Sequence, residues 1–155
     1  MTTASRRNAL KQGGALAALA ALVACGLLTT RQAWALADTS AYELKTMDEA
    51  LKALGGTPVE SKDIAITSPD IAENGAVVPV AVTSNLPKTQ EIYIVVEKNP
   101  NPLTAGFTIP DGTDPFVSTR VKMGQSSNVY AVVKADGKLY SAHKEIKVTL
   151  GGCGG

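Results

Sequence analysis

From Pro58 onward the chain alternates β-branched or aromatic residues with polar ones, in short runs separated by turn chemistry. A period of two places alternate side chains on opposite faces of a pleated strand, which no helix does. The pattern predicts strands over residues 63–67, 77–83, 91–98, 116–123, 128–135 and 138–150. In the last of these, Ile146, Val148 and Leu150 point one way and Glu145, Lys147 and Thr149 the other. Its length leaves room for a bulge around His143. Residues 106–109 offer a further short strand, and 110–115 a polar loop.

The punctuation between the runs is specific. Ser68-Pro69-Asp70, Glu73-Asn74-Gly75, Asn85-Leu86-Pro87-Lys88 and Asn99-Pro100-Asn101-Pro102 read as turns, and Asp136-Gly137 as a two-residue hairpin. Gly75 is expected at positive φ, and Val77, Val80 and Val82 in the core. Short strands with regular turns over 58–150 imply an all-β fold, an antiparallel β-sandwich of immunoglobulin-like architecture. No Cys…Trp…Cys spacing is present, so the antibody type is excluded.

Residues 36–57 precede the strands. The first ten read as a loose lead-in. Thr46-Met47-Asp48-Glu49 is a capping box, and Met47, Ala50, Leu51 and Leu54 form an apolar helical stripe. Gly55-Gly56 supplies the stop. A short helix over 46–54 is expected to lay its stripe on the domain.

Residues 1–35 have the layout of an export signal, with cleavage after Ala35. A basic segment holds Arg6-Arg7, an Ala/Leu-rich run covers residues 15–28, and Ala33-Trp34-Ala35 is a small-x-small site. The arginine pair resembles a twin-arginine signal, although Ala9 stands where a bulky apolar residue is usual. That layout implies a periplasmic protein. Three alternatives stay open. The apolar run could anchor the chain, but it falls short of the roughly 20 residues that span a bilayer. Leu22-Val23-Ala24-Cys25 has the shape of a lipoprotein box, which would put a lipid on Cys25. Cleavage after Ala37 fits the same small-x-small pattern.

Removing the leader changes both charge and cysteine chemistry. Four of the 15 basic residues go with it and none of the 14 acids, leaving 11 against 14, a net charge of −3. Nucleic acid and anionic membrane surfaces are poor partners for such a chain. Cys153 is then the sole cysteine. In an oxidising compartment a lone cysteine is buried, bonded to another molecule or used chemically.

Its surroundings are Gly151-Gly152-Cys153-Gly154-Gly155. Glycine has no Cβ and visits positive φ freely, so the segment is a thin, flexible arm. Its thiol can thread a narrow pocket on another protein. An ordinary thiol titrates near about 8.5, and nothing in the tail lowers that, so activation falls to the partner. A frayed terminus and an intermolecular disulfide tether are the other readings of the same tail.

Enzyme machinery is scarce. His143 is the single histidine, so no His pair or triad exists, and it reads as an ordinary strand residue. Haem-attachment, dinucleotide and P-loop motifs are absent. Asp111 and Asp114 share a loop but fall far short of a calcium ligand set. No catalytic residue, metal or cofactor is expected.

The tail resembles that of the SoxY family, the sulfur carrier subunits of the periplasmic thiosulfate-oxidising (Sox) system. Ser5-Arg6-Arg7, residues 46–56, the run from Pro69 to Val80 (PDIAENGAVVPV), Lys98-Asn99-Pro100-Asn101-Pro102-Leu103 and Phe116-Val117-Ser118-Thr119-Arg120-Val121 are also similar, in order. The resemblance implies a non-enzymatic carrier that pairs with a SoxZ subunit as a heterodimer. It implies that Cys153 is the sulfur attachment point and that Gly151, Gly152, Gly154 and Gly155 are its arm. A c-type cytochrome pair would load thiosulfate on Cys153. A dimanganese hydrolase would release sulfate, and a sulfane dehydrogenase would oxidise the persulfide left behind. For Glu73, Asn74 and Arg120 a structural role is expected.

Overall fold

The computed structural model of the chain describes residues 38–149. The leader 1–35 with Cys25 and the cleavage site at Ala35 lies outside the described residues, as do Gly151, Gly152, Cys153, Gly154 and Gly155. The chain divides into two compact units, Met1–Thr39 and Ser40–Gly155. Of the first, the described residues hold only the start of a 3-10 helix, Asp38–Glu43. Everything that follows concerns the second.

The alternating runs form strands β1 (Val59–Glu60), β2 (Ile64–Thr67), β3 (Ile71–Ala72), β4 (Val78–Ser84), β5 (Thr89–Val96), β6 (Leu103–Thr108), β7 (Phe116–Val121), β8 (Ser127–Ala135) and β9 (Lys138–Val148). They make two sheets. A three-stranded sheet has the order β2-β4-β7, and a larger one β1-β9-β8-β5-β6, with β3 also on β9. The two inner faces supply one core. Val78, Val80 and Val82 of β4 meet Ile92, Ile94 and Val96 of β5, Val129, Ala131 and Val133 of β8, and Ile146 of β9. This is an immunoglobulin-like sandwich, as the alternation predicts.

Helix α1 (Met47–Leu54) covers the outer face of the larger sheet. Thr46 caps it: the Glu49 backbone N–H donates to the Thr46 hydroxyl at 3.3 Å. The return arm of the capping box goes to that hydroxyl, which donates to Glu49 Oε2 at 2.8 Å, and not to the backbone amide. Ala50 and Leu54 are buried against Val95, Leu103 and Val132, with Met47 and Leu51 beside them. Val95 of β5, Leu103 of β6 and Val132 of β8 face outward here, so the middle strands of the larger sheet are apolar on both faces. The helical stripe lies where expected.

Several expectations are corrected. The lead-in is not loose: its 3-10 helix buries Ala41 in the second cluster, and Asn101 Nδ2 donates to the Tyr42 carbonyl at 2.9 Å. The sandwich is not purely antiparallel, because β1 and β3 both pair with β9 in parallel. Both are two-residue strands, too short for alternation to reveal. Val77 is 49 % exposed and Val78 is buried in its place, because the inward register of β4 starts one residue later. No bulge interrupts β9 at His143, since its ladder with β8 runs unbroken from Ser127↔Ile146 to Ala135↔Lys138. The register shifts fall on β5 instead, at Ile94/Val95 and Thr89/Glu91. The strand expected at residues 106–109 begins at Leu103, and β7 ends at Val121 rather than 123.

The hairpin at Asp136-Gly137 forms as expected. Both residues are left-handed, with φ of 49° and 75°, the paired positive values of a type I′ turn. That turn sets the β8–β9 register, which directs Ile146 into the core. Truncating Ile146 to Ala is expected to cost about 2–5 kcal/mol, measured by denaturant unfolding, because its side chain is fully buried in a packed cluster.

Candidate functional site

The candidate arm begins two residues after β9, so the site is built around the last described residues of the chain, Lys147 to Thr149. The β8–β9 ladder stops at the Ser127↔Ile146 pair. Beyond it the chain is held by other groups. On one side the Val148 backbone N–H donates to the Ser126 hydroxyl at 2.9 Å. On the other side β3 lies parallel, pairing Ile71 with Lys147 and Ala72 with Val148. The Lys147 N–H donates to the Asp70 carbonyl at 2.9 Å, and the Thr149 N–H to the Ala72 carbonyl at 3.1 Å. The Thr149 hydroxyl is within 3.4 Å of the Ala72 and Glu73 carbonyls, to which it donates.

Gly75 joins these segments. Its carbonyl accepts from the Met123 N–H at 2.7 Å. A Cβ at Gly75 would stand 2.5 Å from the Met123 carbonyl oxygen and 2.8 Å from Val148 Cγ1. Gly75 is not among the positive-φ residues, so the expectation of a left-handed turn is corrected. The position needs glycine because backbone and side chain approach it closely. Asn74 has the structural role expected of it: its Oδ1 accepts from the Ala76 N–H at 2.9 Å, an Asx turn. Residues Asp70–Gly75 of the run Pro69–Val80, singled out in the sequence by resemblance, thus lie against the end of β9.

A clip holds the start of that run. Lys144 Nζ donates to the Ser68 carbonyl at 2.6 Å and pairs with Asp70 Oδ1 at 2.9 Å. The hydrogen bond from Lys144, and then its charge, hold the Asp70 carboxyl below its ordinary value of 3.8. Glu73 and Arg120 are exposed.

Elsewhere the described residues offer little chemistry. His143 is exposed on β9, its ring 5.2 Å from that of Tyr130 and tilted by 30°. The Tyr130 hydroxyl is pushed above its ordinary value, first by burial and then by the charge of Glu97. No group of three His, Cys, Asp or Glu side chains suited to a metal occurs among the described residues. An open groove of about 510 Å³ between Leu54, Lys134, Leu139 and Tyr140 holds no acid–base pair.

The fold defines a class, the small immunoglobulin-like β-sandwich domain. Within it the chain belongs to the SoxY family: the family model described as sulfur oxidation protein SoxY matches residues 50–153. A solved structure, the sulfur carrier protein SoxY from Chlorobium limicola f. thiosulfatophilum, is 42 % identical, with a TM-score of 0.61. The match covers 68 % of this chain and 97 % of that one. A Thermotoga maritima protein described as a candidate superoxide reductase has a TM-score of 0.50 at 17 % identity, covering 60 % of this chain and 88 % of that one. It shares the fold alone. No curated protein sequence matches the chain.

The arm singled out in the sequence lies outside the described residues, and the way the end of β9 is held was not legible there. Ser126, Thr149 and Lys144 carry no local signal, because each acts on a segment far away in sequence. Gly75 was visible, for a reason that the geometry replaces.

The Lys144–Asp70 clip makes a pH prediction. A carboxyl whose folded value is lowered adds stability above its unfolded value, near 3.8, and loses it as pH falls through the folded value. Asp70→Asn should therefore melt below the parent at neutral pH, with the difference shrinking below about pH 4 in thermal melts.

Proposed function

We propose that this protein is a covalent carrier of sulfur intermediates in thiosulfate oxidation, with Cys153 as the attachment point. The observation that carries the reading is family membership: the matched residues, 50–153, run through the arm to the cysteine itself. Identity of 42 % to a sulfur carrier protein supports the same role.

The chemistry fits a bare thiol. Loading is a two-electron oxidation. The Cys153 thiol gives up its proton, its sulfur bonds to the sulfane sulfur of thiosulfate, and two electrons pass to a c-type cytochrome pair. Hydrolysis then adds one water at the sulfonate sulfur. The bond between the two thiosulfate sulfurs breaks, sulfate and two protons leave, and a persulfide remains on Cys153. A dimanganese hydrolase would perform that step, and a sulfane dehydrogenase would oxidise the persulfide. The carrier is a substrate of these enzymes and not itself an enzyme. A SoxZ-like subunit is its partner in a heterodimer.

Gly151, Gly152, Gly154 and Gly155 give the cysteine slender flanks that enter a narrow active site. The leader delivers the chain to the periplasm by the twin-arginine route, with cleavage after Ala35. Removal of Cys25 with the leader leaves Cys153 without an internal disulfide partner.

Intact mass spectrometry of the exported protein during turnover tests the role. The carrier gives adducts of about +112 Da for thiosulfate and about +32 Da for one sulfur, both lost in Cys153→Ser. A reducible dimer with no adducts would mean that the tail cysteine only tethers two chains. The same spectra read the leader, since cleavage after Ala35 leaves Leu36 as the first residue.

A second expectation concerns the arm. Gly152→Val and Gly154→Val should leave the melting temperature unchanged and slow loading and unloading, measured as adduct formation over time. Parental rates in both variants would show that the glycines do not serve access.

A further inference from the structure

We infer that the segments around Asp70–Gly75 and Met123–Ser126 form a collar that fixes where the carrier arm begins, with Ser126, Gly75 and Thr149 as positioning residues. This rests on the carrier role proposed for Cys153.

The argument starts from an oddity of β3. The strand has two residues, one of them, Ile71, 57 % exposed, so it adds little to the core. What it does is hold β9 after β8 has let go. The β8–β9 ladder ends at Ile146, yet Lys147 and Thr149 still donate to the Asp70 and Ala72 carbonyls. On the opposite edge, where β8 supplies no further pair, the Ser126 hydroxyl takes the Val148 N–H at 2.9 Å. Gly75 closes the ring, with Val148 Cγ1 against its α-carbon face and the Met123 N–H on its carbonyl. Two segments distant in sequence converge on three consecutive residues, and only Leu150 separates those three from the arm.

The consequence is a short tether. From Thr149 to Cys153 the chain runs four residues, with a limit of about 14 Å. Without the collar it would start at Ile146, seven residues away, with a limit of about 25 Å. The root-mean-square span of a flexible chain grows as the square root of its length, so it would widen about 1.3-fold. The effective concentration of the thiol at a partner's pocket falls as the −3/2 power of length, which is about two-fold here. The collar keeps the thiol concentrated over the surface from which it is presented. Every partner that takes the thiol meets the same origin. Protection of a sheet edge is the purely structural alternative for β3, and the two differ in what they do to the arm.

The test places nitroxide labels on Cys153 and on an exposed Ser118→Cys in the full chain carrying Cys25→Ser, and measures their distance distribution by double electron–electron resonance. Ser126→Ala/Thr149→Val removes hydroxyl contacts without adding bulk, and Gly75→Ala pushes directly on Met123 and Val148. A loosened collar widens the distribution by about 1.3-fold in a variant whose melting curve still shows a folded sandwich. It also raises KM for enzymatic loading of the unlabelled carrier about two-fold, with kcat held. Unchanged distributions in the folded variants would overturn the inference, and the double variant decides alone if Gly75→Ala does not fold. Absence of thiosulfate adducts on the parent would instead overturn the carrier role, which the label distances do not measure.

Discussion

A strand of eleven residues has backbone donors and acceptors on both edges, and the arrangement that β9 finds for them organises the rest of the molecule. On one edge the ladder with β8 runs unbroken through nine residue pairs, its register set by the left-handed Asp136-Gly137 turn. On the other edge β1 takes Tyr140 and Ser141, and β3 takes Lys147 and Val148. The chain between these two short strands leaves to form β2 of the opposite sheet. One strand therefore closes the larger sheet, stitches it to the smaller one and leads toward the C-terminal tail. Its inner face contributes Ile146 to the core, so any slip would turn a buried isoleucine outward.

The larger sheet has two apolar faces, and this explains the N-terminal elements. Val95 and Val132 point away from the sandwich, and without cover they would lie in water. Helix α1 and the 3-10 helix supply that cover with Ala41, Ala50 and Leu54. Small alanines at the contact let the backbones of helix and sheet approach closely. The smaller sheet has no such need, because its outward residues include Pro79, Ser118 and Arg120.

For a carrier, this separation of tasks is physically sensible. On the carrier reading the domain would hold a fixed point, the glycine tail would supply reach, and the reactive chemistry would fall to partners. The contacts on Val148 and Thr149 fix the last described point of the chain before that tail.

The sequence by itself determined the elements whose causes are local. Period-two alternation revealed the long strands, Thr46 and Gly55 bounded α1, and Asp136-Gly137 announced its turn, because each depends on neighbours within a few residues. The glycine-flanked cysteine stands as a reading of composition alone, because it lies outside the described residues. Only the tertiary structure decided the rest. Two-residue parallel strands leave no periodicity to read, and the one-residue offset that buries Val78 and exposes Val77 is set by pairing with β7. Gly75 looked like a turn glycine, yet what demands it is the Met123 carbonyl and the Val148 side chain, 48 and 73 residues along the chain. Close approach between distant segments is a property of packing, and packing is written in no single stretch of the sequence.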